Sequence, residues 1–261
     1  MSNNHLMKVT LLQIDIVWGC PHKNIEQAQL MINQNPGSDL YVLPEMWSTG
    51  FAMQPIDIAE DEDTSVSLVW MRATASHLQC AICGSLAVRT ADGTYRNRHY
   101  FVDGQKNTVC YYDKHHLFTY GGEPMHYCAG HSHTVVDYQG FRLLLLTCYD
   151  LRFPLWSRYS ESLQFDAIIC VANWPESRQN AFHVLTRARA IENMAYLIAV
   201  NRVGDDDYNH YRGCSCVISP IGKTIANCLP HVPQALSCAL DLQSLQHKRD
   251  KFKVLDDRDV L

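Results

Sequence analysis

Residues 143–146 are four consecutive leucines between Phe141 and Thr147, and no position in the run is polar. A strand sends alternate side chains to opposite faces, so a run that is apolar at every position must be covered on both sides. This predicts sheets inside and helices outside. The same strand signal recurs in short apolar runs bounded by turn residues, at 9–17, 40–43, 81–88, 99–102, 109–112, 167–172, 196–201 and 214–219. Asp92-Gly93 and Asp103-Gly104 separate three of these runs with hairpin chemistry, so part of the sheet system is antiparallel. Helix spacing appears at Val66, Val69, Trp70 and Ala73 after Thr64 as a cap, and again at Phe182, Leu185 and Ala188. The pattern is a layered α/β fold with mixed sheets. With 261 residues, 47% of them hydrophobic, one compact domain over 1–261 is expected, since no stretch rich in Pro, Gly and Ser interrupts the chain.

The net charge of -5 is mild and dispersed, without the basic stripe that binding a phosphate backbone requires, so nucleic acid is not an expected partner. The start of the chain, Met1 to Lys8, is polar and lacks a small-residue cleavage site, and no apolar run approaches the roughly 18 residues of a membrane span. A cytoplasmic protein without a membrane partner is expected. The eleven cysteines sit in apolar segments such as Ile82-Cys83 and Ile169-Cys170, which fits reduced, buried thiols. Cys80 and Cys83 have the gap of a zinc ligand pair, and Cys214 and Cys216 could face them. Residues 81–88 read as a buried strand, however, and a one-residue gap is unusual in structural zinc sites, so no metal is expected.

Three segments carry possible chemistry. In Leu146-Thr147-Cys148-Tyr149-Asp150-Leu151-Arg152-Phe153-Pro154 a buried strand stops at a cysteine, and Pro154 reads as a helix start. Such a corner exposes a side chain and leaves the Tyr149 amide free to bind a developing oxyanion. From this segment alone, a nucleophile and one more core thiol are equally good readings. In Tyr41-Val42-Leu43-Pro44-Glu45-Met46-Trp47 an apolar strand ends on a carboxylate. Desolvation there would suit Glu45 to proton transfer, although alone a surface strand end is the better reading. In Tyr111-Tyr112-Asp113-Lys114-His115-His116 a strand ends on a lysine, which is usually just solvated. Facing Cys148, its ammonium could stabilise a thiolate and an oxyanion.

The order of these three segments resembles the nitrilase, or carbon-nitrogen hydrolase, superfamily. The resemblance extends to Val171-Ala172-Asn173-Trp174-Pro175, to residues 187–193 and to Asn201-Arg202-Val203-Gly204, and runs from about Lys8 to the Phe252 region. Residues 45–51 and Ala172-Asn173-Trp174-Pro175 are most similar to the bacterial omega-amidase branch, which acts on 2-oxoglutaramate and related 2-oxo acid amides. The resemblance implies a four-layer α-β-β-α sandwich, paired as a homodimer. It implies a triad of Glu45, Lys114 and Cys148 with no metal or organic cofactor, a thioester intermediate, and a small amide and water as the only reactants. It also implies a supporting glutamate, matched by Glu123 in Gly121-Gly122-Glu123-Pro124; without the match Glu123 would read as a solvated loop residue.

Asn173, Trp174 and Arg178 are the candidate substrate-binding residues, Arg178 because a guanidinium can clamp a substrate carboxylate with two hydrogen bonds. His126, Arg187 and the 205–208 loop are the reserve candidates. Residues 205–209, Asp-Asp-Asp-Tyr-Asn, replace the glycine-containing turn usual in relatives, which bears on substrate preference. The competing readings are another hydrolase of the same fold (an aliphatic amidase, a carbamoylase or a true nitrilase), a catalytically inactive binding protein, and a cysteine-rich metal protein.

Overall fold

Two large sheets meet face to face in this computed structural model, which describes residues 6–259. Residues 1–5, part of the polar N-terminal stretch, lie outside the described residues. In chain order the first half contains β1 (Leu6–Gln13), α1 (Pro21–Gln34), β2 (Leu40–Val42), β3 (Glu60–Asp61), α2 (Val66–Leu78), β4 (Ala81–Arg89), β5 (Tyr95–Asp103) and β6 (Thr108–Asp113). The second half contains β7 (Val135–Tyr138), β8 (Phe141–Thr147), β9 (Ala167–Ala172), α3 (Gln179–Glu192), β10 (Tyr196–Asn201), β11 (Val203–Asp205) and β12 (His210–Arg212). It ends with β13 (Cys216–Ile218), β14 (Thr224–Asn227), β15 (Gln234–Asp241) and α4 (Leu242–Lys251). One sheet runs in the order β15-β1-β2-β4-β5-β6, with β3 added beside β4; the other runs β14-β13-β10-β9-β8-β7. Strands β1, β2 and β4 pair in parallel, as do β8, β9 and β10, and the flanking pairs are antiparallel. Both sheets are mixed, and Asp92-Gly93 and Asp103-Gly104 stand at the two hairpins of β4, β5 and β6.

The leucine run explains the layering. Leu143 and Leu145 enter the core between the sheets with Val9, Leu11 and Val42, while Leu144 and Leu146 point to the outer core with Phe182 and Ala190 of α3. On the far side, Leu12, Tyr41 and Ile82 pack against Ala28 and Ile32 of α1 and against Leu68, Met71 and Ala75 of α2. The result is the four-layer α-β-β-α sandwich.

Several local expectations need correction. The cap of α2 is Ser65, whose Oγ accepts from the Leu68 amide at 3.0 Å, and not Thr64. The buried stripe of α2 is Leu68, Met71 and Ala75 with Ser67 and Thr74, whereas Val66 and Val69 face solvent. Two apolar stripes at helical spacing compete in that sequence, and Leu68, Met71 and Ala75 are the ones that join the core with Leu12, Tyr41 and Ile82. Pro154 opens no α-helix; a short 3-10 turn, Cys148–Arg152, follows β8 instead. Strand β1 stops at Gln13, where its pairing with β15 ends, and β13 begins at Cys216 because Cys214 has a left-handed φ of +57°.

His99 of β5 ties the two sheets together. It is fully buried, and its Nδ1 lies 3.1 Å from the Leu146 carbonyl oxygen of β8. Burial lowers its pKa to about 4. In the unfolded chain an ordinary histidine titrates near 6.5, so between roughly pH 6.5 and 4 the unfolded state binds the extra proton and stability falls as pH falls. On going from pH 7 to pH 5 the wild-type protein should lose about 2 kcal/mol more unfolding free energy than His99→Gln. Urea titrations of both proteins at the two pH values check this; equal losses would contradict it.

Candidate active site

The carboxyl ends of the parallel strands open on one side of the sandwich, the usual location of sites in such sheets. Glu45 follows β2, Cys148 follows β8 and Asn173 follows β9, while Lys114 follows β6. Cys148, Lys114 and Asn173 line a cavity of about 1090 Å³. Glu45, Lys114 and Glu123 are buried beneath it, at 0%, 1% and 0% exposure.

Lys114 Nζ donates to Glu45 Oε1 at 2.9 Å and to Glu123 Oε2 at 2.8 Å. An ammonium has three donors, which leaves one uncommitted among the described residues. Burial alone would lower the Lys114 pKa, but the Glu123 and Glu45 carboxylates hold it well above the ordinary lysine range. Glu123 is pushed up by burial against the opposing pull of Lys114, and it also accepts the Phe118 amide at 2.6 Å. Glu45 Oε2 accepts the Asn173 amide at 2.8 Å, and Asn173 Nδ2 donates back to the Glu45 carbonyl oxygen at 2.8 Å. Asn173 Oδ1 is buried with no partner among the described residues.

Cys148 is half-buried, with a φ of +44° that a non-glycine residue adopts only under local constraint. Asp150 supplies that constraint. Its Oδ2 accepts the Thr147 amide at 3.0 Å and the Tyr112 hydroxyl at 2.7 Å, and its Oδ1 accepts the His116 amide at 2.9 Å. Tyr112 is fixed in turn by Trp156 Nε1, which donates to its oxygen at 2.9 Å. Burial first, and the neighbouring Glu45 carboxylate second, raise the Cys148 thiol well above its usual pKa, while Lys114 pulls it down. The thiol is therefore protonated at neutral pH, and any attack by its sulfur needs a base. The Tyr149 amide lies in the first turn after Cys148, where backbone donors lack intrahelical partners.

Arg178 ends a 3-10 turn, Glu176–Arg178, and lines the same cavity. Its guanidinium carbon lies 5.3 Å from the centre of the Phe118 ring, and its carbonyl accepts Trp174 Nε1 at 2.8 Å. No carboxylate pairs with it among the described residues. Arg152 is a second cavity-lining arginine, 5.0 Å over the Trp174 ring. Residues Asp205, Asp206 and Asp207 line the cavity as well. His126 is exposed, and Arg187 Nη2 donates to Thr224 Oγ1 at 2.8 Å, so neither lines the cavity.

Sequence reasoning missed Asn97, which is buried between Glu45 and Glu123, and Ser85, which binds it. Asn97 lies in the polar stretch Tyr95–Arg98, outside the apolar run at 99–102 that marks the strand; a longer strand turns it inward. Arg152 and Asp150 were missed too, although both stand in the cysteine segment itself.

Residues 8–250 match the Carbon-nitrogen hydrolase family. The omega-amidase YafV of Escherichia coli strain K12 is 40% identical over 254 residues, 97% of each chain. The 2-oxoglutaramate amidase of Bacillus subtilis is 32% identical over 95% of this chain and 96% of its own. Among solved structures, a CN-hydrolase superfamily protein of Xanthomonas campestris with an arsenic adduct in its active site superposes with a TM-score of 0.93 at 35% identity, covering 98% of both chains. With the fold, the strand-end site and these relatives in agreement, the chain belongs to the carbon-nitrogen hydrolase family.

Proposed function

We propose that this protein is an omega-amidase, a single-domain enzyme that hydrolyses the terminal amide of a small 2-oxo acid amide such as 2-oxoglutaramate to acid and ammonia. The observation that carries the reading is the convergence of Cys148, Lys114 and Arg178 on one cavity, with Glu45 beneath it. Full-length similarity to an omega-amidase and to a 2-oxoglutaramate amidase supports the substrate class.

In the proposed reaction Glu45 takes the thiol proton as Cys148 Sγ bonds to the amide carbon. The carbonyl oxygen becomes an oxyanion, which accepts from the third Lys114 hydrogen and from the Tyr149 amide. The C–N bond then breaks, Glu45 returns the proton to the leaving nitrogen, and ammonia departs from the thioester. Glu45 next deprotonates a water that attacks the thioester carbon, and the sulfur leaves, regaining its proton from Glu45. Glu123 orients Lys114, and Asn173 Oδ1, which has no partner among the described residues, is suited to accept a substrate amide hydrogen. Trp174 holds the Arg178 loop through its indole N–H. No step calls for a metal, and a chelator is expected to leave the rate unchanged.

Arg178 is the proposed clamp for the far carboxylate of the substrate. Arg178→Met should weaken kcat/KM for 2-oxoglutaramate by about 1.5–3 kcal/mol and leave a neutral amide almost unchanged. Equal losses on both would make Arg178 a loop support only.

The cell compartment and the assembly belong to the same proposal. All eleven cysteines are free, which supports a reducing cytoplasm, and among the described residues no helix is long and apolar enough to cross a membrane. Family likeness and the exposed Val184, Ile191, Ile221 and Ile225 around α3 support a homodimer, which light scattering would test. Ammonia release across 2-oxoglutaramate, 2-oxosuccinamate, glutamine, aliphatic amides and a nitrile tests the substrate class. The two 2-oxo acid amides should lead; a preferred neutral amide or nitrile would assign the chain to another branch.

A further inference from the structure

Glu45 and Glu123 are two buried carboxylates sharing one ammonium. Lys114 cannot neutralise both, and like charges held close in a dry site disfavour one another unless further donors reach them. The side chain set between the two is Asn97, 1% exposed, whose Nδ2 donates to Glu45 Oε1 at 2.8 Å and to Glu123 Oε1 at 3.1 Å. The two ends of an asparagine amide have nearly the same shape, so its orientation follows from its partners. The Met46 amide can only donate, and it donates to Ser85 Oγ at 2.8 Å. The Ser85 hydroxyl is thereby turned to give its own hydrogen to Asn97 Oδ1, 2.9 Å away. That bond commits the Asn97 NH2 group to the carboxylates. Met46, directly after Glu45, has a φ of +40°, so the same serine also secures a constrained turn beside Glu45.

We propose that Asn97, oriented by Ser85, is a positioning residue that holds the Glu45 carboxylate by donating to it and aims it at Cys148 by bridging it to Glu123. The inference rests on the reading of Glu45 as the general base. Glu45 Oε1 is occupied by Lys114 and Asn97, whereas Oε2 accepts one backbone donor among the described residues, the Asn173 amide. Oε2 is thus the oxygen with room for the thiol proton. The other ionisable groups around Glu45 are Lys114, Glu123, Cys148, Cys170, Tyr127 and Tyr211. Both tyrosines are committed elsewhere, Tyr127 to the Ala52 carbonyl and Tyr211 to Asp206, each at 2.6 Å. Among the described residues, Asn97 is therefore the neutral side chain, besides the Cys148 thiol itself, that donates to the Glu45 carboxylate.

The test is the pH profile of kcat/KM on 2-oxoglutaramate, paired with the pH profile of Cys148 alkylation by iodoacetamide, which needs no turnover. Removing a donor from a carboxylate raises its pKa, so the acid limb of both profiles should move to higher pH. Asn97→Ala should move the limb upward by about 1–2 on the pH scale, the range set by one hydrogen bond to a charged group. Ser85→Ala should move it less and in the same direction. At a fixed pH below the limb, moving the limb from one pH to the next whole pH lowers the rate about tenfold. An acid limb that stays in place in either folded variant overturns the proposal, even if activity falls, because a merely structural residue would lower rate without moving the limb. If Asn97→Ala does not fold, Ser85→Ala, which deletes one oxygen, carries the test alone. Glu45→Gln separates the two levels: if it keeps both the wild-type rate and the acid limb, the general-base reading fails and this inference falls with it.

Discussion

Cys148→Ala is expected to lower turnover of 2-oxoglutaramate by at least about 10⁴-fold, leaving what binding and oxyanion donors can do without a nucleophile. The other thiols cannot take over. Cys170, the neighbour on β9, is fully buried, and burial raises its pKa far above the ordinary thiol range, so it offers neither access nor thiolate. The substitution should leave the fold intact, because Cys148 lines an open cavity and its removal encloses no void. Alanine faces the same left-handed backbone as cysteine, and Asp150 continues to hold the turn through the Thr147 amide. Steady-state ammonia release together with a thermal melt checks both halves. Turnover near the wild-type rate would sink the assignment of the nucleophile.

Glu45→Gln should reduce kcat by about 10²–10⁴-fold, the usual contribution of a general acid-base. The raised pKa of the Cys148 thiol makes the argument specific, since the sulfur begins protonated and glutamine cannot take up its proton. Stability should hardly suffer. The wild-type cluster places two carboxylates around one ammonium, and the variant leaves Lys114 paired with Glu123 at 2.8 Å, a balanced pair. A drop below tenfold would argue against the role of Glu45. A large loss of stability would mean that the glutamate mainly holds the cluster together.

How far the sequence could be read depended on the range of the signal. The layered architecture was legible because the leucine run is apolar at every position, and two-sided burial follows from strand geometry alone. The strand-end positions of Glu45, Lys114 and Cys148 were legible for the same reason, since each polar residue interrupts an apolar run. Their convergence was not, because it joins residues up to about a hundred positions apart through sheet pairing that no local pattern encodes. Asn97 and Ser85 were invisible for a related reason: a polar side chain inside a strand declares itself only when the strand's inner face and opposite partners are known. The stripe of α2 was misread because two faces satisfy the same spacing, and only packing against β1, β2 and β4 decides between them. Arg178 could be named but not placed, and its position on the cavity wall came from the turn after Pro175.

The central claim is covalent catalysis by Cys148, and a quenched reaction read by intact-protein and peptide mass spectrometry tests it most directly. Enzyme mixed with excess 2-oxoglutaramate and quenched in acid within the first turnovers should carry one acyl group, with the mass of the substrate less ammonia, on the peptide containing Cys148. Hydroxylamine should remove it, as it does a thioester. An acyl group on any other residue, or hydrolysis at the full rate with Cys148 unmodified at every quench time, would contradict the account.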